Sequence, residues 1–138
     1  MITRTTGQPE EEIKPGVTPK IVWFEVPAED VERAKYFYAT LFGWKIEKFP
    51  GDLQYWHIDT GGGDNSLDGG MIKRHHPDKC ITNYIAVSSI DDYVTRIKDL
   101  GGQIMVPKSS VQGMGYFALC KDTEGNTFGL WEMDKNAK

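Results

Sequence analysis

The segment FEVPAEDVERAKYFYATLFGW, residues 24–44, decides the fold. It opens inside a β-favouring run, Ile21-Val22-Trp23-Phe24-Glu25-Val26, which Pro27 closes because proline cannot donate to a strand ladder. Asp30 then reads as a helix N-cap, a short carboxylate able to accept from the free amides of a first turn. Behind it Val31, Ala34, Phe37, Tyr38 and Leu41 recur at helical spacing, and Gly43 supplies a C-terminal stop.

Downstream, three short strands are predicted over 44–48, 53–59 and 69–73, separated by Pro50-Gly51 and by the loop GGGDN at 61–65. The same order then returns. A strand is read over 81–87, and Ser89 with Asp92 gives a capping pattern. Ile90, Tyr93, Val94, Ile97 and Leu100 form a helical stripe that Gly101-Gly102 ends, and strands are read over 103–106, 115–121 and 127–132. The two caps, Asp30 and Ser89, and the two last stripe residues, Leu41 and Leu100, are both 59 positions apart. A shared offset points to a duplicated βαβββ module, spanning 21–73 and 81–132. An α+β ferredoxin-like domain with an extra hairpin is the competing reading. Residues 1–20, with Pro9, Pro15, Pro19 and the run Glu10-Glu11-Glu12, read as a flexible tail, loose or laid on a neighbour.

Composition narrows the function classes. A chain of 138 residues with 39% apolar content suits one domain, here 21–133 after the tail. No apolar run is long enough for a membrane span, and the N-terminus lacks the apolar core of a secretory signal. Cys80 and Cys120 lack C-x-x-C or zinc-finger spacing and read as reduced thiols, so a cytoplasmic location is expected. The net charge of −4 and the scattered cations argue against nucleic acid. The loop has no G-x-x-x-x-G-K-[ST] cradle, and no G-x-S-x-G elbow occurs.

Residues 24–44 resemble the first strand and helix of the glyoxalase/bleomycin-resistance/extradiol-dioxygenase superfamily, the vicinal oxygen chelate group: an Asp before an Arg-Ala pair, then Phe-Tyr, then Phe-Gly-Trp. DTEGNTFGLWE, residues 122–132, is similar to that family's closing turn and last strand, with Thr123 where proline is common. Gly69-Gly70-Met71 and the Leu-Gly-Gly end of the second helix also fit, so the resemblance covers about residues 21–133. It implies two βαβββ modules forming an open, cup-like, eight-stranded mixed sheet with the helices outside. It also implies a small-molecule ligand in the cup and a homodimer. Metal-dependent members carry His, Gln or Glu early in a module's first strand and Glu in its last. By resemblance those positions fall at Trp23, Thr82, Gly70 and Gly129, none of which offers an imidazole or carboxylate. No metal or other cofactor is therefore expected, unless a divalent ion uses a relocated site.

Strand alternation sorts the side chains. Val22, Phe24 and Val26 are expected to face the helices, and Trp23 and Glu25 the cup. Tyr55 and His57, Thr82 and Tyr84, and Trp131 fall on the same side, and Met71 is taken as lining the pocket. Trp23, Tyr55, Met71, Thr82, Tyr84 and Trp131 are the expected ligand-binding residues, with Glu25 and His57 as candidate proton-transfer groups. Three functions follow: a metal-free binder of an aromatic or apolar molecule, a glyoxalase-type lyase or isomerase with relocated ligands or metal-free proton transfer, or an interaction module whose cup is closed by its own tryptophans.

Overall fold

The computed structural model describes residues 17–138. The tail expected at 1–20 therefore lies mostly outside the described residues. The elements run β1 (Ile21–Ala28), α1 (Val31–Phe42), β2 (Lys45–Lys48), β3 (Tyr55–Asp59), β4 (Gly69–Lys73), β5 (Thr82–Ala86), α2 (Ile90–Asp99), β6 (Gln103–Val111), β7 (Gly115–Lys121) and β8 (Thr127–Met133). This is the expected strand–helix–strand–strand–strand order, twice. With parallel and antiparallel pairing together, the fold is α+β with mixed strands.

The chain forms two compact units. One is 21–85, and the other joins 86–138 to the described residues 17–20. In the first, β1 runs parallel to β4 and antiparallel to β5, while β3 pairs antiparallel with both β4 and β2. The strand that the repeat pattern gave to the second module thus pairs with the first strand of the first. In the other unit β7 pairs antiparallel with β6 and β8.

Both helices start where local chemistry places them. Asp30 accepts from the Arg33 amide at 3.0 Å, and Ser89 Oγ from the Asp92 amide at 3.2 Å. Glu132, reaching from β8, accepts a further first-turn amide, that of Ile90, at 2.8 Å. Gly43 ends α1 with φ of 75°, a left-handed conformation that disfavours other residues.

The core of the 21–85 unit lies between α1 and one face of its sheet. Val26, Ala28, Val31, Ile46, Ile58 and Met71 are buried there, with Phe24, Ala34, Tyr38, Trp44 and Trp56 packed against them. Burying one such Ile or Met side chain is worth about 1.5–3 kcal/mol.

Three expectations need correction. Met71 is fully buried in this core cluster, so it faces α1 and does not line the opposite face. Phe37, Leu41 and Leu100 are 56%, 58% and 72% exposed, so these members of the two helical stripes lie outside the core. Leu41 stands in the last turn of α1, and Leu100 is the C-cap residue of α2, already leaving the helix. Finally, β6 continues through Pro107 to Val111, with register irregularities between Ile104 and Val106 and between Val106 and Ser109. Proline is tolerated in a strand at such irregularities.

Candidate functional site

The face of the first sheet turned away from α1 carries the polar residues. Its register sets them in a row. His57 on β3 lies opposite Gly70 on β4, Gly70 opposite Glu25 on β1, and Glu25 opposite Thr82 on β5. One step along, Trp23 lies opposite Tyr84. Alternation puts Tyr55 on this side as well, two residues before His57.

Gly70 is the gap in the row. A Cβ built there would collide with the hydroxyl and ring of Tyr55, which lies over the bare backbone. Trp23 Nε1 donates to Tyr55 Oη at 2.8 Å. Tyr55 and Tyr84 both lie close enough to Glu25 for its charge to act on their phenols. Glu25 is 7% exposed, and the Lys79 ammonium stands 3.8 Å from its Oε1. A buried carboxylate is costly unless it is paired, and here the Lys79 ammonium is its ion-pair partner. The same arrangement pushes both phenols above the usual tyrosine range. Burial is the first cause and the Glu25 charge the second.

His57 stands beside this group, half-exposed. Its ring stacks parallel to Trp23, with centroids 5.8 Å apart and 9° between planes, and Phe49 lies 5.8 Å away. Its Nε2 is 3.2 Å from Asp68 Oδ2, while Asp68 Oδ1 accepts from the Thr60 amide at 3.1 Å. Burial raises the Asp68 carboxyl, but hydrogen bonds from Thr60 and His57 outweigh it and leave the group below the usual carboxylate range. An imidazole held this way has its Nε2 committed to Asp68 and its Nδ1 left over.

Of the expected site residues, Trp23, Glu25, Tyr55, His57, Thr82 and Tyr84 come together on one face. Trp131 belongs to the other compact unit, where it lies half-buried opposite Phe117 and packs near Gly115. Asp68, Lys79 and Phe49 were not anticipated. Asp68 lies in a loop, where periodicity gives no side, and Lys79 read as one of many scattered cations.

The four positions that the sequence resemblance marks for metal ligands carry no imidazole or carboxylate. Trp23 uses its only polar atom on Tyr55, and a carboxylate side chain at Gly70 would need the space the Tyr55 phenol fills. Thr82 Oγ1 donates to the Cys80 carbonyl at 3.4 Å, and Gly129 has no side chain. Among the described residues, no three of His, Cys, Asp and Glu converge in a group able to hold an ion.

Residues 20–61 match the family described as bleomycin resistance protein-like N-terminal. A glyoxylase-like domain-containing protein of Didymella fabae is 31% identical over 122 residues, covering 80% of this chain and 91% of that one. The chain belongs to the glyoxalase-like family. A second glyoxalase-like relative, CFP32 of Mycobacterium bovis, carries the name of a glyoxylase and is 28% identical over 126 residues, covering 83% of this chain. The anthracycline biosynthesis protein DnrV of Streptomyces peucetius is 26% identical over 124 residues, covering 79%. The chain spans about half the length of these two relatives, 46% and 45%. Among solved structures, methylmalonyl-CoA epimerase of Mycobacterium tuberculosis aligns with a TM-score of 0.61 at 14% identity, covering 86% of this chain and 89% of that one. The Mn(II)-bound glyoxalase of Novosphingobium aromaticivorans gives 0.61 at 17%, covering 88% and 40%. At these identities the structures speak for the glyoxalase-like fold alone.

Proposed function

We propose that the face bearing Trp23, Glu25, Tyr55 and Tyr84 binds a small planar aromatic molecule carrying hydroxyl groups, without a divalent ion. The observation that carries this reading is the cluster over the gap at Gly70, where Trp23 donates to Tyr55 and the Tyr55 phenol stands beside the buried Glu25. A buried acceptor beside flat rings supports an organic ligand over an ion. Stacking on Trp23 and His57 suits a flat ring, and Glu25 suits a phenol or N–H donor. The name of DnrV agrees, since an anthracycline is a planar polycyclic aromatic. A thermal-shift screen of hydroxylated anthraquinones and flavonoids tests it. A ligand at about one hundred times its Kd stabilises by about 2.7 kcal/mol. The stabilisation is expected in the native chain and lost in Trp23→Ala and Glu25→Gln. A screen that stabilises none of the three sinks the reading.

The His57–Asp68 pair favours a second reading, metal-free proton transfer in the manner of a lyase or isomerase. Nε2 is held by Asp68, which leaves Nδ1 to take a proton from an acidic carbon or hydroxyl and return it. Incubating a protein-bound carbonyl compound in D2O and following α-proton exchange by NMR distinguishes the two. Exchange that His57→Gln abolishes makes the chain an enzyme, and no exchange leaves it a binder. Assembly as a homodimer belongs to the same proposal and is checked by sedimentation of the purified chain.

A further inference from the structure

Two hollows adjoin along α1, one of about 460 Å³ where the helix meets the end of β1 and one of about 440 Å³ on the helix surface. Arg33 and Phe37 line both, so the two are neighbours along α1 and are treated together as one groove. The groove lies on the side of β1 that Val26 faces, away from Glu25, and is independent of the function proposed above.

One end is polar. Arg74 stands in its wall over a floor of Val26, Ala34 and Tyr38. The guanidinium is poorly satisfied. Its Nη2 donates to the Pro27 carbonyl at a long 3.4 Å, and its Nη1 is 3.7 Å from Glu29 Oε1. Its Nε is buried and, among the described residues, has no hydrogen-bond partner. Glu29 is mostly exposed, and the Asp30 carboxylate that also lines this end is already accepting from the Arg33 amide. Nη1 and Nη2 make only these long contacts and the side chain is part-exposed, so an acceptor placed against them would gain charge-assisted hydrogen bonds.

The other end is apolar. Tyr36, Phe37 and Leu41 are 73%, 56% and 58% exposed along the same helix, beside Thr40. Large apolar side chains grouped this way mark a contact surface. A purely apolar partner would leave the Arg74 guanidinium with only its long contacts, and a small inorganic anion would leave the apolar lane bare.

We propose that this groove is a second binding site, for an organic carboxylate with a straight apolar body, its carboxylate on Arg74 and Arg33 and its chain along Phe37 and Leu41. Decanoate, below its micelle concentration, is the probe, and amide shifts of the isotope-labelled chain are the readout. Saturable shifts are expected across residues 31–42. Loss of one charge-assisted contact weakens binding by roughly ten-fold or more, so Arg74→Met is expected to do so for decanoate and not for decanol. Arg74→Lys, which keeps the charge and loses the fork, is expected to bind more weakly than the native chain. Leu41→Asp alters an exposed residue, leaves the core folded, and is expected to weaken both probes. The proposal is overturned by absent or unsaturable shifts on α1, or by Arg74→Met binding decanoate as tightly as the native chain. It is equally overturned if Leu41→Asp converts a sedimenting dimer to monomer while decanoate leaves α1 untouched, which would assign the face to a second copy.

Discussion

Gly70 leaves a gap in its strand, and Tyr55 lies across it. That pair sets what the face can hold. Gly70→Ala forces the Tyr55 ring to move against a hydroxyl that Trp23 holds at 2.8 Å, and overpacking of this kind costs about 1–3 kcal/mol. Urea denaturation is expected to show that loss, and Gly70→Ala combined with Tyr55→Ala to lose less than the sum of the two single variants. The phenols give a pH signature. Tyr55 and Tyr84 titrate in the folded state above the ordinary value of 10.0. Keeping them neutral therefore stabilises fully below pH 10 and progressively less as pH rises beyond it. Absorbance titration at high pH is expected to find two of the six tyrosines ionising only as the chain unfolds. Tyr55→Phe is expected to remove one of them. Asp68 works in the opposite sense. Its folded pKa lies below the ordinary 3.8, so its contribution is complete above that value and is lost as pH falls through the folded pKa. Asp68→Asn is expected to flatten the acid limb of a stability–pH curve, and an unchanged limb would show that the Thr60 and His57 contacts do not hold in solution.

At the scale of elements, the caps are the firmest prediction. Asp30→Ala removes the acceptor for the Arg33 amide and is expected to cost about 1 kcal/mol, read as a shift in the urea midpoint at constant slope. The caps and most strand positions were legible in the sequence because they depend on neighbours within four residues. The two faces of β1 and β3 were legible too, since alternation leaves Phe24, Val26, Trp56 and Ile58 no other side. Met71 was misread although the same rule covers it. Gly70 lies on the Tyr55 side, so its neighbour must point to the core. Leu41 and Leu100 carry helical spacing but lie at helix ends, where the period says nothing about how far the sheet reaches. The course of β6 past Pro107 depends on its pairing with β7, which no local signal records. Asp68 was invisible for a related reason: its value comes from His57, eleven residues away on a strand.

For the molecule as a whole, family membership and chemistry point in different directions. The chain belongs to a glyoxalase-like family, and one solved structure of this fold is a Mn(II)-bound glyoxalase. The positions that the sequence resemblance marks for metal ligands hold tryptophan, threonine and two glycines in this chain. A fold shared with a metal enzyme does not carry over the metal chemistry, which resides in the site. The most direct test is a calorimetric titration of the chain with a dihydroxyanthraquinone, run once in excess EDTA and once with added Mn²⁺. The account predicts the same affinity in both, quenching of tryptophan fluorescence on binding, and loss of both signals in Trp23→Ala. Binding that appears only when Mn²⁺ is present would contradict it and would place a metal centre on this face.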